Sequence, residues 1–125
     1  MLRACHRVLK PGAHLSYFVV AVADELDDGD TARAIESGPV FVAAVSGYPE
    51  LTVAAGFDGV DLVDVTDEYA VTLSESIRAR DAEAAELQGL LGAAEFAEGQ
   101  SSRRLELAAV HDGLLRRLLI SAVRP

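Results

Sequence analysis

Hydrophobic and polar positions divide the chain into candidate strands and candidate helices. The segment 14–23 is apolar at nearly every position, which predicts a strand inside a sheet that is covered on both faces. Partial alternation over 59–65 and the mostly apolar run 114–123 predict two more strands. Apolar residues at intervals of three and four predict helices over the remaining segments, namely 2–9, 30–37, 49–55, 67–91 and one that runs from 94 or 102 to 111.

The helical spacing also predicts which side chains face the core. These are Leu2, Cys5, Val8 and Leu9 in the first helix, Leu51, Val53 and Ala54 in the third, Leu73, Ile77, Ala84, Leu87 and Leu91 in the long one, and Leu105, Ala108 and Ala109 in the last. Asp30 or Thr31 is the expected N-cap of the second helix, and Thr66 or Asp67 is that of the long helix. The apolar segment 40–45 has no clear period, so a packed loop, a helical turn and a short strand all fit it.

Composition limits the possible partners. The 125 residues suffice for one domain, and half of them are hydrophobic, which is enough for a core. The formal net charge is −9 and the sequence pI is about 4.6, with no cluster of Lys or Arg to reverse the field locally. Such a field repels nucleic acid and anionic membranes, so we expect neither as a partner.

The single cysteine, Cys5, excludes an internal disulfide framework and fits a reducing compartment. The first residues are too polar for a signal peptide, and the apolar stretch 15–23 is too short to span a bilayer. We therefore expect a cytoplasmic protein.

No metal site is expected either. The acidic run 24–30 lacks the spacing of a calcium loop and is better explained as a solvated loop. The three histidines, His6, His14 and His111, are scattered without the spacing of metal ligands.

The order of the elements and several short motifs resemble the C-terminal half of a class I S-adenosylmethionine-dependent methyltransferase. The motifs are Arg-Val-Leu-Lys-Pro-Gly at 7–12 before the first strand, Ala-Gly-Phe at 55–57 and Asp-Val-Thr at 64–66 on either side of the second, and Gly-Leu-Leu-Arg at 113–116 leading into the last. The resemblance covers nearly the whole chain. It implies an α/β fold in which residues 1–125 form one partial methyltransferase domain, with a three-stranded mixed sheet in the order 1-3-2, an antiparallel last strand and flanking helices.

The resemblance further implies that the cofactor-binding N-terminal half of the family's domain is absent. The family binds its cofactor through a glycine-rich loop after its first strand and an acid after its second, whereas the glycines here are too dispersed to form such a loop. We therefore assign no cofactor-binding and no catalytic residue. S-adenosylmethionine is expected to serve the parent enzyme and not to be bound by this chain alone. The first helix lacks a good N-cap, which also points to a chain cut from something longer.

Candidate substrate-pocket residues follow from the expected topology. Ligands of open α/β sheets lie beyond the carboxyl ends of the parallel strands, which here means residues near 23–28 and 64–69. The candidates are Asp24, Thr66 and Tyr69, together with Tyr48 in the segment that often covers the acceptor in this family. Each also has a simpler explanation: a solvated acid for Asp24, a helix cap for Thr66 and aromatic packing for the two tyrosines.

These expectations describe a methyltransferase fragment that acts on a small molecule and is inactive in isolation. In this arrangement the strand at 14–23 is open along one edge, where we expect self-association or pairing with the missing half. Two alternatives stay open. One is a non-catalytic interaction module that pairs through this edge, and the other is a standalone small α+β ligand-binding domain in which a helix or the 40–45 segment covers it.

Overall fold

A computed structural model describes residues 1–39 and 47–125 of the chain. Its elements are α1 (Leu2–Val8), β1 (His14–Val22), α2 (Asp28–Ser37), α3 (Tyr48–Ala54), β2 (Asp58–Asp64), α4 (Thr66–Ala82), α5 (Ala84–Leu91), α6 (Ala93–His111) and β3 (Leu115–Val123). The segment 40–45, for which the sequence left three conformations open, lies outside the described residues.

The strands form one sheet in the order β1-β3-β2, with β3 antiparallel to both neighbours. Its register with β1 runs from His14 opposite Val123 to Val22 opposite Leu115. Strands β1 and β2 therefore point the same way, although each pairing in the sheet is antiparallel. The predicted strand order, the antiparallel last strand and the flanking helices are confirmed.

The two faces of the sheet are covered differently. On one face, here called the helical face, Val22 and Leu115 pack with Ala34 of α2 and with Ala109 and Val110 of α6. On the other, the cavity face, Tyr17 of β1 reaches α3 through a hydrogen bond to Thr52. Ile120 of β3 and Phe57, which lies between α3 and β2, are fully buried. The apolar residues predicted for β1 thus pack on both faces of the sheet, because alternate side chains point to opposite faces.

The first helix lies against the turn that follows α3. The His6 ring meets Phe57 edge to face, with 5.2 Å between centroids. Gly56 makes this approach possible: it has a φ of +102°, and a Cβ there would lie 2.9 Å from His6 Nε2. His6 therefore packs against the inner residues of the turn. Val8, predicted to face the core, is exposed because the helix turns the side of His6 toward Phe57.

The inward face predicted for α3 is wrong. Leu51 and Val53 are 52% and 57% exposed and Ala54 is exposed, whereas Thr52 is fully buried. The Thr52 hydroxyl donates to the Tyr48 carbonyl at 2.7 Å and lies 2.7 Å from the Tyr17 hydroxyl. A threonine that satisfies its hydroxyl in this way can occupy a core position.

Three further expectations about the helices are corrected. Asp27, not Asp30 or Thr31, caps α2, since its carboxylate accepts the amide of Asp30 at 2.7 Å. Asp64, not Thr66 or Asp67, accepts the first free amide of α4. The single helix predicted over 67–91 is interrupted at Glu83, whose φ and ψ of −102° and 22° leave the helical range, so that α4 and α5 pack on α6 as separate helices.

The core-facing residues of the last two helices differ in part from the prediction. Ala109 is buried as predicted, but Leu91, Leu105 and Ala108 are exposed, and α6 also buries Phe96 and Gln100. Gln100 Nε2 donates to the carbonyl of Ile77 at 3.0 Å, which ties α6 to α4. Within residues 1–39 and 47–125, no helix is long and apolar enough to cross a membrane.

Candidate active site

A cavity of about 510 Å³ lies on the cavity face, at the carboxyl ends of β1 and β2. Its walls are formed by the end of β1 with the turn after it, the start of α3, the second half of β2 and the start of β3. The lining residues used below are Asp24, Glu25, Tyr48, Glu50, Asp64 and Arg116. This is the end of the sheet where open α/β folds bind ligands.

The end of β1 is shaped by small and strained residues. Ala21 and Ala23 are buried, so the strand leaves room beside it instead of filling the space with side chains. The Ala23 amide still donates to the Leu114 carbonyl at 2.9 Å, which holds β1 against the chain just before β3. Glu25 has a φ of +60°, a left-handed conformation that turns the chain sharply away from the sheet. Asp24 and Glu25 therefore stand exposed at the rim of the cavity.

Tyr48, at the start of α3, is the aromatic residue among those that line the cavity. Burial and the neighbouring Tyr17 raise the pKa of its phenol above the ordinary value, so the hydroxyl stays protonated at neutral pH. Its carbonyl is fixed by Thr52, and Pro49 follows it at the start of the helix. The cavity is thus lined by a phenol as well as by carboxylates.

Asp64 and Arg116, which both line the cavity, form an ion pair with 2.8 Å between Arg116 Nη1 and Asp64 Oδ2. The second carboxylate oxygen accepts the Thr66 amide at 2.9 Å and the Thr66 hydroxyl at 2.5 Å. Partial burial acts to raise the pKa of Asp64, but the bonds from Thr66 and Arg116 outweigh it and hold this pKa below the ordinary value. Asp64 is therefore an anchored anion.

Replacing Asp64 with asparagine should reduce the pH dependence of the free energy of unfolding at acidic pH. A folded-state pKa below the unfolded one gives stabilisation that is complete above about pH 4 and is lost as the pH falls through the lowered value. Asp64→Asn keeps the acceptor for Thr66 but removes the charge. Since the pair is substantially exposed, we expect it to lower the free energy of unfolding at pH 7 by less than about 1 kcal/mol.

Urea unfolding monitored between pH 2 and pH 7 checks this. Arg116→Gln should reproduce part of the effect, because it removes one of the groups that lower the pKa of Asp64. An acid limb that is unchanged in Asp64→Asn would contradict the assignment.

The structure brings two of the four candidate pocket residues into one cavity. Asp24 and Tyr48 both line it. Thr66 lies beside it, where its hydroxyl donates to Asp64 and accepts the Arg117 amide at 3.0 Å, so it joins the start of α4 to β3. Contact of Asp24 and Tyr48 with a substrate stays a prediction.

Tyr69 belongs to the helical face. Its hydroxyl donates to Glu106 at 2.5 Å, and its ring lies 4.5 Å from the Arg117 guanidinium carbon. Burial, followed by the charge and hydrogen bond of Glu106, raises the pKa of Tyr69. The sheet lies between this tyrosine and the cavity, so the structure does not bring it together with Asp24 and Tyr48. Contact of Tyr69 with a substrate also stays a prediction.

Sequence reasoning missed the Asp64–Arg116 pair. Asp64 belongs to the Asp-Val-Thr motif and lies at the carboxyl end of β2, where a ligand was expected, so its position in the sequence could have indicated it. Arg116 lies 52 positions further along the chain, and only the pairing of β2 with β3 brings the two together.

The described residues do not fit S-adenosylmethionine as a complete site. Strand β1 is followed by Ala23, Asp24 and Glu25, and β2 by Val65 and Thr66, so neither of these strands leads into a glycine-rich loop. The same residues contain no group of three or more side chains that could hold a metal ion.

No protein-family model and no curated protein matches the chain. Solved structures do match it. Phosphoethanolamine N-methyltransferase 2 of Haemonchus contortus, in complex with phosphomonomethylethanolamine and S-adenosylhomocysteine, superposes on 99% of the chain with a TM-score of 0.80 and 14% identity. The same enzyme with S-adenosyl-L-methionine gives 0.78 and 15% over 99%. A candidate sarcosine dimethylglycine methyltransferase of Galdieria sulphuraria gives 0.82 and 14% over 98%.

At these identities the likeness establishes the fold, which is a methyltransferase fold. The chain spans only 29% of each Haemonchus structure and 46% of the Galdieria one. The chain thus has the fold of less than half of each of these proteins.

Proposed function

We propose that residues 1–125 form the C-terminal, acceptor-binding part of an S-adenosylmethionine-dependent methyltransferase that acts on a small molecule. The observation that carries this proposal is the cavity at the carboxyl ends of β1 and β2, in a chain of which 98–99% superposes on solved methyltransferase structures. A single cysteine fits a reducing, cytoplasmic setting.

Asp24 and Tyr48 are the side chains that would position the acceptor. An exposed carboxylate at Asp24 can accept hydrogen bonds from an ammonium or hydroxyl group, and the protonated phenol of Tyr48, which lines the same cavity, can donate one. Orienting an acceptor in this way is the contribution that a transfer reaction needs most from such residues. Because the described residues do not fit the cofactor, we assign them no step of the transfer, and we expect the chain alone to be inactive.

Isothermal titration calorimetry of the 125-residue chain with S-adenosylmethionine tests whether this chain binds the cofactor by itself. We expect no binding at micromolar ligand, because the residues that would hold the cofactor lie in another part of the fold. Micromolar binding would show that the missing half is not needed and would overturn this part of the proposal. A complete methyltransferase titrated in the same buffer serves as the positive control.

NMR titration tests the acceptor side. Ethanolamine phosphates, sarcosine and dimethylglycine are suitable probes, because the structural neighbours carry these compounds in their names. Shifts concentrated at residues 21–25 and 47–50 that are lost in Tyr48→Phe would support an acceptor site. Shifts spread evenly over the surface, or none for any of these amines, would count against it.

A second candidate function is that of an interaction module without catalysis. Strand β1 pairs with β3 on one side, and no described residue pairs with its other edge. The standalone ligand-binding domain requires a cover over this edge. No described element pairs with this edge, and the 40–45 segment lies outside the described residues.

A further inference from the structure

Arg116 lies at the start of β3, on the cavity face of the sheet. Its neighbour Leu115 packs on the helical face, so the side chain of Arg116 points the other way and lines the cavity. The residue opposite it on β1 is Ala21, which lines the same cavity and has only a methyl group. A side chain this small leaves space beside Arg116.

The guanidinium of Arg116 is held in place by Asp64. One oxygen of that carboxylate accepts both the amide and the hydroxyl of Thr66, so the other oxygen alone bonds to Arg116. The pair therefore has a single N–H···O bond, whereas an arginine and a free carboxylate often form two parallel ones. Asp64 thus orients the guanidinium without occupying both of its free edges.

The other donors of Arg116 are available to a ligand. A guanidinium carries five N–H groups, and the bond to Asp64 uses one of them. Within residues 1–39 and 47–125 no second group accepts a hydrogen bond from this side chain, which is 53% exposed. The planar fork of a guanidinium matches the oxygens of a carboxylate or a phosphate. An arginine held at one nitrogen inside a cavity is therefore suited to bind such an anionic group.

The carboxylates of the cavity restrict which anions can enter. Asp24, Glu25 and Glu50 line it, and Arg116 is the one Lys or Arg among its described lining residues. Three carboxylates repel a simple anion, in a chain whose formal net charge is −9. A molecule that carries an ammonium group as well as an anionic group finds a partner for each charge. The charges of the cavity thus complement a zwitterion.

We propose that Arg116 binds a carboxylate or phosphate group of the acceptor, and that the acceptor is a small zwitterionic amine. This inference rests on the proposed function, because it concerns the acceptor of the same cavity. Arg116 is then a specificity-determining residue. An amine without the anionic group leaves the donors of Arg116 unpaired and binds more weakly.

Three probes of similar size test this preference at pH 7. β-Alanine carries an ammonium and a carboxylate, propylamine lacks the carboxylate, and propionate lacks the ammonium. The probes are titrated into the 125-residue chain and followed by NMR at residues 21–25 and 47–50. β-Alanine should bind about ten-fold more tightly than either of the other two, as expected for charge-assisted hydrogen bonds.

A fourth probe distinguishes the two kinds of anionic group. In 2-aminoethylphosphonate a phosphonate replaces the carboxylate of β-alanine, and this probe too should bind more tightly than propylamine. Either order of affinity between the two zwitterions supports the inference. Tighter binding of the phosphonate would assign the subsite to a phosphate group, and tighter binding of β-alanine would assign it to a carboxylate.

Arg116→Gln keeps a hydrogen-bond donor but removes the positive charge. It should lower the affinity for β-alanine by about ten-fold and leave the affinity for propylamine within about two-fold. Arg104→Gln is the matched control. Arg104 is also 53% exposed and bonds to a carboxylate, that of Asp81, but it lies in α6 and is not among the residues that line the cavity. Its replacement should change neither affinity.

The side-chain Nε–H signal of Arg116 provides a direct measurement of the contact. The signal is assigned by its loss in Arg116→Gln, whose backbone amide spectrum also shows whether the variant is folded. It should shift when β-alanine is added and stay nearly unchanged with propylamine. A purely structural role of Arg116 in the pair with Asp64 would not produce this difference.

Two results would overturn the inference while the acceptor site remains supported. One is equal binding of β-alanine and propylamine at the cavity residues, and the other is an Arg116→Gln variant that weakens both probes alike. The absence of shifts at residues 21–25 and 47–50 with every amine would count against the acceptor site itself, and the role of Arg116 would be rejected with it.

Discussion

Replacing Phe57 with alanine is expected to lower the free energy of unfolding by about 3–5 kcal/mol, a large part of the stability of a domain of this size. Phe57 is fully buried between α3 and β2, and its ring receives the edge of His6 from α1. Its removal leaves a cavity that α1 cannot fill, because the approach of His6 is already limited by the backbone at Gly56. Urea denaturation followed by circular dichroism measures the loss.

Val53→Ala provides the matched control for this experiment. Val53 lies four positions before Phe57 and is 57% exposed, so its truncation should change the free energy of unfolding by no more than about 0.5 kcal/mol. Comparable losses for the two variants would mean that α3 presents a different face to the sheet from the one described.

The second large effect is expected at Thr52. Thr52→Val keeps the shape of the side chain but removes the hydroxyl that donates to Tyr48 and bonds to Tyr17, and we expect a loss of about 1–3 kcal/mol. The cost arises because a partly buried phenol and a carbonyl at the cavity wall lose their partner. Thermal unfolding of the variant at neutral pH gives the value.

A double-mutant cycle with Tyr17→Phe separates the two bonds. If the Thr52–Tyr17 bond contributes as described, the double variant should be less destabilised than the sum of the single variants. Exact additivity would show that the two hydroxyls are not coupled and that the whole effect of Thr52 lies in its bond to Tyr48.

The strands could be predicted from the sequence to within one residue. Segments 14–23, 59–65 and 114–123 correspond to β1, β2 and β3, because each apolar run is bounded by glycine, proline or charge within the local sequence. The strand order followed from the resemblance to a known fold and not from any pattern in the residues themselves.

The predictions that failed concern features that depend on contacts between residues distant in the sequence. Thr52 is buried instead of Leu51 or Val53 because its partner, Tyr17, lies 35 positions earlier. The break at Glu83 has no glycine or proline to announce it, and both segments around it are good helix formers that pack on α6. In the candidate site, Asp24 and Tyr48 could be chosen by position after a strand and in a variable segment, whereas the partner of Asp64 could not.

The position of β3 has a consequence for how the protein folds. The central strand of the sheet is the last of the three in sequence. The ion pair of Asp64 in β2 therefore forms only after Arg116, 52 residues later, has been synthesised. During synthesis β1 and β2 therefore emerge with no strand between them, and the sheet closes only after α4, α5 and α6 have been made. Closing loops of this length is slow and leaves apolar strands exposed to other chains. The helices of this protein should thus form early, and its sheet in a single late step.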